Sequence, residues 1–211
     1  MFSRKTLSLI ITCLICSLVV YLPYAAAAPG KVNVTDIKAA SGKDYKLGDS
    51  LEINKTKYYI DRDYVITAMP KELEGIQWIM TANSDDKNSQ GKNFLTFKVD
   101  QPAVIWIAHD SRGEGEKNGK PPQWLVDGFK RIFDPKTNPD FTLAVTDASM
   151  GTFNLWKQSY KKGEVVIGGN ADAPAAGHGS NYIVLIEADK TAAVQPQDKL
   201  GITWGKIKSA R

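Results

Sequence analysis

Short apolar runs recur along most of this chain, and turn residues separate them. The runs are Lys57 to Ile60, Tyr64 to Ala68, Ile76 to Thr81, Phe94 to Val99, Ala103 to Ala108, Phe141 to Val145, Phe153 to Trp156, Val165 to Ile167 and Tyr182 to Ile186. They are rich in Tyr, Ile, Val, Phe, Thr and Trp, the residues that fit a pleated, half-buried surface. In one of them Leu95, Phe97 and Val99 alternate with Phe94, Thr96 and Lys98, close to the period of two that a strand requires. Many short strands with frequent turns predict an all-β fold, an antiparallel β-sandwich of jelly-roll type with long loops. One segment breaks the pattern. Pro121-Pro122-Gln123-Trp124-Leu125-Val126-Asp127-Gly128-Phe129 predicts a short helix with proline near its first turn, docking Trp124 and Phe129 on the sandwich.

Two blocks place polar residues directly after an apolar strand. Val104-Ile105-Trp106-Ile107-Ala108 runs into His109-Asp110-Ser111-Arg112, and Val165-Val166-Ile167 runs into Gly168-Gly169-Asn170. Polar side chains at strand ends build loop surfaces on a rigid scaffold. The candidate ligand-binding residues are therefore His109, Asp110, Arg112 and Asn170. Trp124, which follows two prolines, and Trp156, which neighbours Lys157 and Gln158, join them as aromatic platforms. Trp106 sits between Ile105 and Ile107 and is expected in the core. Asn83, Asp85, Asp86 and Asn88 form an oxygen-rich stretch of the kind that can hold Ca2+, although the spacing lacks the glutamate of an EF-hand. Asn and Asp also serve turns by bonding to nearby backbone.

The N-terminus reads as a signal peptide over residues 1–28. Arg4 and Lys5 precede an apolar stretch from Leu7 to Val20, and Ala25 to Ala28 supply small residues before Pro29. The expectation is a secreted or extracellular protein, in the periplasm or at a cell surface, without membrane insertion after cleavage. Cys13 and Cys16 are the two cysteines of the chain and both lie in this stretch. The remainder must fold without disulfides. Residues 29–56 read as a linker leading into a first strand near Leu51 to Ile53, residues 57–189 as the β-sandwich, and residues 190–211 as a tail. With 27 Lys and Arg against 23 Asp and Glu, the chain lacks the concentrated basic character of a nucleic-acid binder.

From about Tyr58 to Glu187 the chain resembles a β-sandwich accessory module of secreted bacterial polysaccharide-degrading enzymes. The likeness rests on Gln77-Trp78-Ile79-Met80-Thr81-Ala82-Asn83-Ser84-Asp85-Asp86-Lys87, Ile105 to Arg112, Pro122 to Leu125, Val165 to Asn170, and Gly179-Ser180-Asn181-Tyr182-Ile183-Val184, in that order. The resemblance implies an extracellular location and association with carbohydrate. It supplies no binding or catalytic residues, and Lys130 to Pro139 reads as an insertion.

Three functions follow as expectations. The first is a non-catalytic carbohydrate-binding module for a polysaccharide or other glycan. The second is a polysaccharide lyase or hydrolase using the His109, Asp110 and Arg112 loop, with His109 as base and Arg112 neutralising an acidic sugar. The third is an extracellular matrix or cell-surface interaction protein that docks through Thr203 to Lys208. No Gly-x-Ser-x-Gly, no His-Glu-x-x-His and no zinc spacing is present to favour the second. Arg112, Lys117 and Lys120 would favour an acidic glycan.

Overall fold

The computed structural model describes residues 31–115, 118–134, 136–139 and 141–191. The stretch read as a signal peptide and the tail beyond Thr191 lie outside them, as does Lys117. Eleven strands are present: β1 (Val34–Ala39), β2 (Lys46–Gly48), β3 (Ile66–Ala68), β4 (Gln77–Met80), β5 (Leu95–Val99), β6 (Ala103–Asp110), β7 (Lys130–Arg131), β8 (Thr142–Val145), β9 (Thr152–Tyr160), β10 (Gly163–Ile167) and β11 (Ile183–Ala188). One helix, α1, spans Gln123–Gly128 with Pro122 at its N-cap. Every ladder between named strands is antiparallel. This is an all-β, sandwich-like fold. No helix among the described residues is long and apolar enough to cross a membrane.

A small sheet runs β1-β5-β10, and a large one runs β2-β4-β11-β6-β9-β8-β3, with β7 on β9 as well. The side-chain alternation of a strand explains how the large sheet is covered on both faces. Ile105 and Ile107 of β6 point towards the small sheet and join Phe97, Val165 and Val184 in one core. Trp106 and Ala108 point the other way and join Tyr58, Leu143, Phe153 and Leu185 in a second core. The outer cover consists of the segments around Leu51 to Leu73 and Phe141 to Met150. A sheet buried on both faces needs near-continuous apolar strands, which is why Ala103 to Ala108 shows no alternation of hydrophobic and polar residues. Trp106 is buried, but it faces away from the isoleucines that flank it in sequence.

Two sequence expectations change here. The stretch read as a linker already holds β1 and β2, and Val32, Val34 and Tyr45 are buried in the first core. In addition, the strand does not stop before the charged residues. β6 continues through His109 and Asp110, both fully buried. The helix forms where expected. Trp124 packs edge-on against Phe129 and Tyr182, with ring centroids 5.9 Å apart in each pair.

Candidate functional site

The end of β6 and the chain just after it carry two acid–arginine pairs. Alternation along β6 puts His109 on the face of Ile107 and Asp110 on the face of Ala108, so the two neighbours serve opposite sides of the large sheet.

Asp110 pairs with Arg112. Its carboxylate accepts from the Arg112 backbone N–H at 3.0 Å, Arg112 Nε at 3.0 Å and Arg112 Nη2 at 2.7 Å. It also accepts from the Gly179 and Ser180 N–H groups at 2.8 and 3.0 Å. Arg112 reaches on to the Ser149 carbonyl and the Ser180 hydroxyl. Burial opposes ionisation of Asp110, but the Arg112 guanidinium and the backbone donors outweigh it and hold the carboxyl below its ordinary value. The pair thus staples three loops to the end of β6.

On the opposite face stands Glu114, whose side chain is 2% exposed. Oε1 lies 3.1 Å from His109 Nδ1 and 2.7 Å from Trp156 Nε1. Oε2 lies 2.9 Å from Asn154 Nδ2 and 2.9 Å from Arg131 Nη2. Facing a carboxylate oxygen, Nδ1 of His109 is the donating nitrogen. The β6–β9 register produces this convergence by setting His109 opposite Asn154 and Ile107 opposite Trp156. Pairing of β7 with β9 then sets Arg131 opposite Trp156. Gly113 is needed for the approach, because a Cβ there would lie 2.8 Å from His109 Cε1.

The Arg131 guanidinium lies 5.2 Å from the Phe133 ring centroid and 5.9 Å from that of Trp156. Beside it opens a hollow of about 250 Å³ lined by Glu114, Gly115, Gly119, Pro121, Arg131 and Trp156.

The structure therefore joins Asp110 with Arg112, and joins His109 with Trp156 through Glu114. It does not bring His109 and Asp110 together. Trp124 stands apart, donating its N–H to the Gly169 carbonyl at 2.8 Å and lying so close over Gly168 that a Cβ there would meet the indole at 2.3 Å. Asn170 is fully buried; its amide donates to the Asp86 and Ser180 carbonyls, and its backbone N–H donates to Ser89. Beside Asn170, His178 Nε2 lies 3.0 Å from the same Asp86 carbonyl, and burial pushes the pKa of the ring down.

The oxygens of the proposed calcium stretch turn to separate protein donors. Asp85 accepts from Ser41, Lys43 and Tyr45, so an ammonium already neutralises it. Asn83 Oδ1 accepts from the Asn181 N–H, and Asp86 Oδ1 from the Lys87 N–H. Among the described residues, no three His, Cys, Asp or Glu side chains converge as a metal site would.

Glu114 and Arg131 are the residues that sequence reasoning missed. Their link depends on β7, β9 and the chain after β6 meeting in space. The available signal was a glutamate five positions after a strand-end histidine.

No protein-family model matches the chain, and no curated protein does. Among solved structures, the chain is similar to part of a β-glucuronidase from glycoside hydrolase family 2, at 20% identity and a TM-score of 0.59, over 73% of this chain and 14% of that one. A looser likeness is to a family 138 glycoside hydrolase targeting pectin rhamnogalacturonan II, at 14% identity and a TM-score of 0.48, over 77% of this chain and 17% of that one. The chain spans less than a fifth of either structure's length. The first likeness is one of fold.

Proposed function

We propose that this protein is a secreted, non-catalytic carbohydrate-binding module that takes a polysaccharide or glycan at the hollow between Trp156 and Arg131. One observation carries the choice of binding over catalysis: His109 and Asp110, the base candidate and the acid of the sequence-derived catalytic loop, are fully buried and used internally. His109 and Asp110 are 0% exposed, His109 faces Glu114, and Asp110 holds Arg112 and the Gly179–Ser180 backbone. A general base must come within hydrogen-bond reach of the proton it removes. Support for a glycan comes from the fold, which recurs as a small part of a β-glucuronidase, and from the indole of Trp156 and the ring of Pro121 that line the hollow.

The test is affinity electrophoresis of the purified chain in gels containing neutral or acidic polysaccharides, with product release measured alongside. Retardation without product supports the reading. Free migration in every gel at high polysaccharide concentration overturns it, and so does release of sugar fragments.

A further inference from the structure

We infer that Arg131 reads an anionic group, a carboxylate or sulfate carried by the sugar. This deepens the glycan-binding reading and rests on it.

Glu114 accepts from His109, Trp156 and Asn154 and forms an ion pair with Arg131 at 2.9 Å. Its side chain is 2% exposed, so it is closed to a sugar hydroxyl. Trp156 has one N–H, and Glu114 takes it. Gly115, Gly119 and Pro121 bring no polar side chain. Arg131 is different. A guanidinium carries five N–H donors, and among the described residues this one meets a carboxylate, Glu114, as an ion pair with Nη2 at 2.9 Å. Its side chain is 37% exposed. The Phe133 and Trp156 rings and the Glu114 carboxylate hold its plane in place. Among the described residues, the hollow therefore offers guanidinium donors and aromatic carbon, with the Glu114 carboxylate buried. That combination suits a planar or tetrahedral group rich in acceptors, which a fixed guanidinium can grip with two parallel hydrogen bonds. Glu114 balances one positive charge internally, so the selectivity comes from unfilled donors more than from net field.

The experiment is calorimetric titration with three probes: a uronic-acid oligosaccharide, the same oligosaccharide after carboxyl reduction, and a sulfated neutral oligosaccharide. The proteins are the natural chain, Arg131→Gln, Arg131→Lys and, as a surface control, Lys92→Gln. The expected result is that at least one anionic probe binds about tenfold or more tighter than the reduced one. The preference should vanish in Arg131→Gln, weaken in Arg131→Lys and persist in Lys92→Gln. The tighter anionic probe identifies the anion. If Arg131→Gln fails to fold, Arg131→Lys retains the charge opposite Glu114 and still reports loss of the fork. Equal binding of charged and neutral probes, or a preference that survives both Arg131 substitutions, overturns the role of Arg131 and leaves the glycan reading standing. Failure of the natural chain to bind any probe or any polysaccharide overturns both.

Discussion

Asp110–Arg112 and Glu114–Arg131 are the same chemical pair, built within a few residues of one strand end, and they differ in what is left over. Arg112 has all three of its nitrogens engaged, with Asp110, Ser149 and Ser180. Arg131 has one nitrogen, Nη2, in an ion pair with Glu114. In the first pair both partners are used up by the fold. In the second the carboxylate is buried and the guanidinium is partly open. A charged pair near a loop surface is therefore informative only after its hydrogen-bond partners are counted. The saturated pair organises loops, and the unsaturated one has capacity for a ligand.

The sharpest way to break this comparison is to truncate the buried acid. Asp110→Ala leaves Arg112 and two loop N–H groups without their acceptor and should lower stability by about 3–5 kcal/mol in urea denaturation. A loss under about 1 kcal/mol would mean that water replaces the carboxylate and that no staple exists.

Glu114→Gln should come next, at about 1–3 kcal/mol, because an amide offers one acceptor oxygen to three donors, turns a donor towards some of them and loses the charge opposite Arg131. Trp156 reports the change directly. Its fluorescence should shift once the bond to Glu114 is lost, whereas Asp110→Ala should leave that signal nearer to its natural value.

Acid should separate the two sides more gently. Burial depresses the His178 pKa below the ordinary 6.5 in the folded state, so the unfolded chain binds the proton more readily. Stability present above pH 6.5 should decline as pH falls below it, then level off once the folded ring titrates. Replacing His178 with Gln should flatten that limb. A second decline should begin below the ordinary Asp value of 3.8, where the folded-state advantage of Asp110 is lost. Denaturation midpoints measured from pH 8 to pH 2 test each limb separately, and a flat profile across the first would overturn the role given to His178.

Arg131→Ala should have the smallest effect on the fold, under about 1 kcal/mol, as expected for a partly exposed ion pair. It should have the largest effect on selective binding. A large loss of stability would make Arg131 a second staple.

Much of the fold was legible because a sheet buried on both faces needs unbroken apolar strands. Eight of the nine runs read from the sequence overlap β3–β6 and β8–β11, and the ninth, Lys57 to Ile60, forms only isolated bridges. β1 was hidden because it is an edge strand. Thr35, Asp36 and Lys38 point to solvent, a register shift falls between Thr35 and Lys38, and Asp36 has a positive φ of 55°. The site was legible only in part. His109, Asp110, Arg112 and Asn170 did mark strand ends where loops gather, but their polarity served the interior. A polar residue after an apolar run looks the same in sequence whether it meets water or a buried partner. Trp156 was picked for its polar neighbours, yet strand alternation turns its indole inward to Glu114. The donors that Asp85 uses, Ser41, Lys43 and Tyr45, were invisible to a local reading because they lie about forty residues away in sequence.

The placement of β11 has a consequence for how the protein is made. This strand, the last one described, lies between β4 and β6, with Val184 facing Ile79 on one side and Ile107 on the other. Until Ile183–Ala188 leaves the ribosome, the large sheet has a gap at its centre flanked by two apolar, unpaired edges. Synthesis proceeds at about 5–20 residues per second, and long-range pairing folds slowly once the chain is complete. The nascent chain therefore holds aggregation-prone edges open until nearly all of the described residues have been made. It should depend on a holding chaperone during that interval, and a fragment ending before Ile183 should be captured by that chaperone and not released as a folded module.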